Sequence, residues 1–117
     1  MRTQPFFAAM ALLALAGCAV DPAPHEQMRL SEQALEQAKA VGATDEVAEL
    51  KLAEDKLARA RSNMASESYR DARLRAEQAE LDARLAEARV LTLKSQEQLS
   101  LLQSRVNRLR KQLGEQQ

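Results

Sequence analysis

The residue types that most often carry enzyme or metal chemistry are sparse in this sequence. His25 is the only histidine and Cys18 is the only cysteine. A protein metal site needs several such ligands converging on one ion. The sequence also contains no glycine-rich phosphate loop and no nucleophile paired with a base. We therefore expect no enzyme activity, no cofactor and no metal site.

Carboxylates are more numerous, and they cluster in the second half of the chain. The cluster consists of Glu77, Glu80, Asp82 and Glu87. General acid–base catalysis needs a buried pair with shifted pKa values. These acids alternate with arginines, so the pattern favours a solvated helix surface over a catalytic pair.

Two further features leave alternatives open. Tyr69 is the only aromatic residue after Cys18; it could stack on a ligand, although its position favours an anchor for a helix turn. The one local excess of charge is the basic cluster Arg105, Arg108, Arg110 and Lys111. It could meet acidic cell-wall polymer or lipid headgroups, but charged flanks of a coiled coil explain it more simply.

Cys18 acquires a role from the residues before it. Leu15-Ala16-Gly17-Cys18 resembles the lipobox of bacterial lipoproteins, in which cleavage before the cysteine leaves that residue as a lipid-bearing, palmitate-containing N-terminus. Residues 1–17 have the plan of a signal peptide, with Arg2 followed by an apolar run that is shorter than the ~20 residues of a membrane-spanning helix. Ordinary secretion with cleavage before Gly17 is the alternative.

The residues after Cys18 predict a location and a tether. In lipoproteins of this kind, Ala19 in place of Asp after the cysteine favours the outer membrane, on its periplasmic side. Pro22 and Pro24 favour an extended tether over residues 18–25. The formal net charge is zero, with both signs interspersed, so we expect no nucleic-acid partner.

The remaining chain has the periodicity of helices. Apolar residues make up 45% of the sequence, but much of this is alanine, which favours thin helical packing over a thick core. Met28, Leu35, Ala38 and Val41 predict a first helix that ends at Gly42. Thr44 predicts the cap of a second helix, whose apolar face contains Leu50, Ala53, Leu57, Ala60 and Met64.

The third predicted helix is the longest, because no proline or glycine interrupts residues 69–113. Ser68 and Asp71 have the spacing of a capping box at its start. Its first half carries an alanine seam, which we define as Tyr69, Ala72, Ala76, Ala79, Ala83, Ala86, Val90 and Leu93. On a different face, its second half carries Leu99, Leu102, Val106, Leu109 and Leu113, in the three-and-four spacing of a coiled coil.

These elements predict an all-α fold: an alanine-rich antiparallel helical hairpin of three helices over residues 26–93, and a coiled-coil arm over residues 94–117. Short turns make neighbouring helices antiparallel. The tether then lies at the end of the bundle formed by the Ser66–Ser68 turn, and the arm projects from the opposite end. An exposed leucine row is unfavourable in water, so we expect the arm to bind a copy of itself or another envelope protein.

Residues from about Glu26 to Val90 resemble the family of bacterial domains of unknown function 4398. The likeness lies in Val47-Ala48-Glu49-Leu50-Lys51-Leu52-Ala53-Glu54-Asp55-Lys56-Leu57, Ala60-Arg61, Tyr69-Arg70-Asp71-Ala72-Arg73 and Ala76-Glu77-Gln78-Ala79-Glu80-Leu81-Asp82-Ala83. The resemblance implies a helical hairpin in exported lipoproteins, often beside an OmpA-like module that binds peptidoglycan. This sequence ends instead in the arm pattern, so we expect any link to peptidoglycan to be indirect.

The expected function is that of a structural or adaptor lipoprotein of the cell envelope. Lipid on Cys18 would hold the protein in the membrane, and Leu99, Leu102, Val106, Leu109 and Leu113 would bind the partner. The alternative is a tetratricopeptide-like module, in which Tyr69 and the alanine seam line a groove for a peptide or a cell-wall fragment.

Overall fold

The computed structural model describes residues 21–114 and contains three α-helices, which are α1 His25–Ala40, α2 Ala48–Ala65 and α3 Tyr69–Gly114. No strand occurs within residues 21–114. The predicted all-α fold with a long C-terminal helix is therefore confirmed. Residues 1–20 and 115–117 lie outside the described residues, so the signal peptide predicted for residues 1–17 and the lipidation predicted at Cys18 stay predictions.

The end of α1 is determined by Gly42. Its φ of +104° lies in the left-handed region, which glycine adopts without steric cost. The N–H of Gly42 donates to Lys39 O at 2.9 Å, and the N–H of Ala43 donates to Ala38 O at 3.0 Å. Together these bonds form a Schellman motif, with buried Ala43 and Ala38 as its apolar contact. The predicted end of the first helix is confirmed.

The buried face of α1 includes one polar residue, Ser31. Its hydroxyl lies 2.9 Å from both Gln27 O and Met28 O, so the buried group has acceptors within its own helix. Such a bond to the preceding turn satisfies a buried hydroxyl within its own helix. The other buried residues of α1 are Ala34, Leu35 and Ala38.

α2 begins at Ala48, four residues later than the cap predicted at Thr44. Residues 44–47 form a turn in which the N–H of Val47 donates to Thr44 O at 2.8 Å. Val47 occupies the N-cap position in an extended conformation without a side-chain cap. The prediction was wrong because Ala43 is held in the core by the end of α1, and the chain needs the following turn to reach the start of α2.

The turn between α2 and α3 is a second Schellman motif. The N–H of Ser68 donates to Asn63 O at 2.9 Å, and that of Glu67 donates to Met64 O at 3.1 Å. Glu67 takes the left-handed position with φ +59°. The predicted capping box is wrong, because the Ser68 N–H that Asp71 would accept is already committed to the end of α2.

α3 is one continuous helix of 46 residues, about 70 Å at 1.5 Å per residue. The alanine seam is buried over Ala72, Ala76, Ala79, Ala83, Ala86 and Val90. Tyr69 is partly buried, whereas Leu93 is 53% exposed. Leu93 was therefore wrongly assigned to the seam, because it lies beyond the last turn of α3 that the other helices cover.

The two shorter helices cover the alanine seam in opposite directions. Paired side chains show this, because α2 joins α3 through Lys56 with Asp82 and, further along α3, through Glu49 with Arg89. α2 is therefore antiparallel to α3, as predicted. α1 joins α3 through Gln27 with Glu80 and then Gln37 with Glu87, so it runs parallel to α3.

The core is thin because one of its three walls is alanine. The largest fully buried apolar side chains are Leu50 and Leu57 of α2. They pack with Leu35 of α1 against the small residues of α3. Small side chains allow helices to approach closely, so a bundle of this narrow cross-section can still exclude water from its centre.

Candidate helix-docking surface

The bundle ends about halfway along α3. The last contact between α3 and the loop after α1 is made by Lys94, whose Nζ donates to Val41 O at 2.6 Å. Val90 is the final buried residue, and every residue from 91 to 114 is exposed. The described part of the arm, residues 94–114, is therefore a helix that no other described segment covers.

The five predicted partner-binding residues lie along this exposed helix. Their relative exposures are between 45% and 67% for Leu99, Leu102, Val106, Leu109 and Leu113. Their alternating steps of four and three place them on one face of an α-helix. The structure thus brings them together as one apolar row and leaves that row uncovered within residues 21–114.

The same spacing continues backwards onto the bundle, where sequence reasoning missed it. The same face of α3 contains four exposed residues before Leu99, at spacings of three, four or seven: Leu74, Leu81, Leu85 and Ala88. We call the whole face the strip, which comprises Leu74, Leu81, Leu85, Ala88, Thr92, Ser95, Leu99, Leu102, Val106, Leu109 and Leu113. Counting back by sevens from Leu109 or Leu102 would have found Leu81 and Leu74.

The strip lies opposite the alanine seam. Leu81 and Leu85 are each two residues from Ala83, and two residues turn an α-helix by about 200°. Ala83 faces the core with no exposed surface, while Leu81 is 66% exposed. α3 is therefore apolar on two faces, one that packs inside the protein and one that faces solvent.

The carboxylates of α3 hold the bundle together. Glu80 accepts from Gln27, Glu87 from Gln37 and Asp82 from Lys56, at 2.6 to 2.7 Å. All three acids are partly buried between helices. The prediction of a solvated helix surface is correct for Glu77, which is exposed. It is wrong for Glu80, Asp82 and Glu87, because each accepts a hydrogen bond from a neighbouring helix.

Ion pairs between helices also shift two pKa values. At the start of α2, the pKa of Glu49 is lowered by its own backbone N–H and by Arg89, which donates to its carboxylate. The pKa of Lys39 is raised by its hydrogen bond to Glu54, 2.8 Å away. Both shifts favour the charged forms, so these side chains support the bundle at neutral pH.

Charge is distributed unevenly between bundle and arm. Residues 26–90 contain 11 basic and 14 acidic side chains, a net charge of −3. Residues 94–114 contain five basic side chains and one acidic side chain, Glu97, a net charge of +4. The neutral total therefore conceals an acidic bundle and a basic arm.

The alternative binding site is not formed as predicted. The alanine seam is covered by α1 and α2, so it cannot also line an open groove. Tyr69 lies at the edge of a shallow surface depression that Arg70, Arg73 and Asp21 also line. This depression is wide open, unlike the concave pockets that enclose small ligands.

Residues 21–114 contain neither a candidate metal site nor a candidate membrane span. This part of the chain contains no group of three or more His, Cys, Asp or Glu side chains placed to hold a metal ion. None of its helices is long and apolar enough to cross a membrane.

These features define a class, a small three-helix bundle whose last helix extends beyond the bundle as an exposed arm. The family model described as a domain of unknown function, DUF4398, matches residues 26–100. The chain belongs to the DUF4398 family, which confirms the resemblance inferred from its sequence.

A solved structure supports the same assignment. The chain is similar to a DUF4398 family protein from Pseudomonas aeruginosa PAO1, whose crystal structure was determined at 2.47 Å resolution. The two sequences are 71% identical, the TM-score is 0.80, and the match covers 82% of this chain and all of the other. No curated protein matches this chain significantly.

Proposed function

We propose that the protein is a lipid-anchored lipoprotein of the outer membrane that acts as a structural adaptor in the periplasm. In this role the bundle is a base, and the arm binds a helix of a partner. The observation that carries the proposal is the row from Leu99 to Leu113. Five large aliphatic side chains on one face of a projecting helix are costly to leave in water, and burying them against a second helix removes that cost.

The position of the tether supports this role. Asp21 lines the same surface depression as Glu67 and Tyr69, so the N-terminal segment approaches the bundle at the α2–α3 turn. The arm leaves from the opposite end, next to Val41 and Lys94. Lipid on Cys18, three residues before Asp21, would therefore anchor the end of the molecule remote from the arm.

The test is a pair of charge substitutions within the row. Leu102→Asp and Leu109→Asp together place two carboxylates where the partner helix would exclude water, and a buried unpaired charge is strongly unfavourable. We expect the variant to lose the larger assembly that the wild-type protein forms, as measured by light scattering of the purified full chain and by crosslinking from the arm in cells.

Leu101→Asp is the matched control. Leu101 is 53% exposed, like Leu102, but it lies on the arm outside the strip. This variant should retain the assembly, and circular dichroism should show equal helix content in all three proteins. A wild-type chain that is a compact monomer and crosslinks to nothing through its arm would contradict the proposal.

A further inference from the structure

The two halves of the strip differ in side-chain size. The arm half is large throughout, from Leu99 to Leu113. The half nearer the bundle contains the small residues Ala88, Thr92 and Ser95 directly before Leu99. A helix pair packs best when large side chains on one helix meet small ones on the other.

We propose that the occupant of the strip is a second copy of this chain, bound antiparallel, so that the arm of each copy lies on the bundle half of the other's α3. This inference rests on the proposed function and names its partner. The antiparallel layers would pair Leu81 with Leu113, Leu85 with Leu109, Ala88 with Val106, Thr92 with Leu102 and Ser95 with Leu99 of the second copy. Two leucine–leucine pairs then lie at each end of the dimer interface. Between them, the small residues of one copy pack against the large residues of the other.

Charge favours the same arrangement. The arm carries +4, so an antiparallel pair separates most of the two basic arms, which a parallel pair would place side by side. In this register Asp82 flanks the strip beside Arg110 of the second copy. Lys56 occupies Oδ2 of Asp82, which leaves Oδ1 for that guanidinium.

The parallel arrangement is disfavoured by the same residues. In a parallel pair, flanking positions five residues apart meet. This would bring Glu77 to Asp82, Arg84 to Arg89, and Arg105 to Arg110 of the second copy. All three contacts join like charges, whereas the antiparallel register places Gln96 and Gln98 at its centre.

The bundle leaves room for the second copy. α1 contacts α3 at Glu80 and Glu87 on one side, and α2 contacts it at Asp82 and Arg89 on the other. The strip occupies the remaining face, so docking requires no opening of the core. The shared span, residues 81–113 in both copies, is nearly five heptads, more than the ~3–4 that sustain a coiled coil.

Disulfide trapping tests the register. The double variant Leu85→Cys, Leu109→Cys in the full chain, oxidised in intact cells, should form a reducible dimer joined through residues 85 and 109. Within one copy these positions are 24 residues apart on a straight helix, about 36 Å, so any 85–109 disulfide must join two copies. Neither single variant nor the wild-type protein, which retains Cys18, should give that link.

A charge exchange tests the orientation independently. Arg110→Glu should weaken dimerisation of the purified full chain roughly tenfold in sedimentation at varied concentration, because two exposed pairs are lost at once. Adding Asp82→Arg together with Lys56→Glu, which keeps an ion pair between α2 and α3, should restore it. Arg108→Glu, the same change on the opposite face of the arm, should have less than a twofold effect.

The outcomes separate this inference from the proposed function. A dimer trapped by Leu109→Cys alone, or no dimer from any variant, overturns the antiparallel self-pairing. If no dimer forms while the arm still crosslinks to another protein and loses it in the Leu102→Asp, Leu109→Asp variant, the adaptor role stands and only the partner is wrong. If both fail, both proposals fall.

Discussion

Glu67 carries the largest local backbone cost in the bundle. The Schellman motif at the end of α2 places it in the left-handed region, with φ +59°, where a side chain crowds the following carbonyl. The fold accepts this cost because the two hydrogen bonds of the motif satisfy the end of α2 and turn the chain tightly into α3.

Glu67→Gly should raise the free energy of unfolding by about 0.5–1 kcal/mol, because relief of the left-handed strain outweighs the greater freedom of glycine in the unfolded chain. Urea denaturation followed by circular dichroism measures the change. Glu67→Ala keeps the Cβ and removes the carboxylate with the rest of the side chain, so it should show no comparable gain. Equal stability of both variants would mean that the charge, and not the backbone, sets the effect.

Glu49 makes the stability of the bundle depend on pH. Its pKa in the folded state is lowered from an ordinary value near 4.5 by its own backbone N–H and by Arg89. A lowered pKa means that the carboxylate stabilises the fold above the unfolded value, and that this contribution disappears as the pH falls through the folded value.

We therefore expect thermal unfolding of the wild-type protein to shift to lower temperature below about pH 4.5, with part of that shift absent in Glu49→Gln. The variant should be less stable than wild type at pH 7, and the difference should shrink as the pH falls below about 4.5. Asp55→Asn, which removes an exposed carboxylate from the same helix, is the control. Parallel curves for wild type and Glu49→Gln would refute this role for Glu49.

At the scale of elements, the two faces of α3 have different packing requirements. One face needs small side chains because α1 and α2 pack closely against it, and the opposite face is covered by no segment within residues 21–114. Ala76, Ala83 and Ala86 are completely buried against α1 and α2. Because protein interiors are close-packed, no space remains there for a larger side chain. The strip tolerates leucine because it faces solvent.

Ala83→Leu should lower the free energy of unfolding by about 1–3 kcal/mol, since the added atoms force α1 and α2 away from α3. Chemical denaturation measures this. Ala58→Leu, at an exposed site on α2, adds the same atoms outside the core and should change stability by no more than about 0.5 kcal/mol. A well-tolerated Ala83→Leu would show that the helices pack less closely than the burial of the seam indicates.

At the scale of the whole molecule, the N-terminal segment and the arm lie at opposite ends of the bundle. The tether reaches the bundle beside Glu67 and Tyr69, and the arm departs at the other end. A lipid on Cys18 would thus direct the arm away from its own membrane. In an antiparallel dimer the two anchors lie at opposite ends, so both lipids reach one membrane only when the dimer lies along that membrane.

Cys18→Ser should abolish labelling by radioactive palmitate and release the protein from the membrane fraction into the soluble periplasmic fraction. A single acyl chain binds a membrane only weakly, whereas several chains anchor stably, so removing the acceptor of all of them should shift the protein completely. Cleavage of the wild-type chain before Gly17, without label, would instead support ordinary secretion.

Much of this architecture could be predicted from local pattern. The apolar spacing of residues 50–60 and 72–90 identified the faces that are buried, and Gly42 marked the end of α1. The row from Leu99 to Leu113 marked the apolar face of the arm. These features depend on residues three or four apart on one helix, and such relations are visible in the order of the residues alone.

Other features were decided only by the contacts between helices. Whether a residue of the alanine seam is buried depends on where α1 and α2 stop, which is why Leu93 is exposed. α2 starts at Ala48 because the residues just before it first complete the end of α1 and its turn. In the same way, the Ser68 N–H bonds to Asn63 at the end of α2 and cannot also cap the start of α3. Periodicity identifies a face of a helix, but what covers that face is set by segments distant in sequence, and only the tertiary structure brings them together.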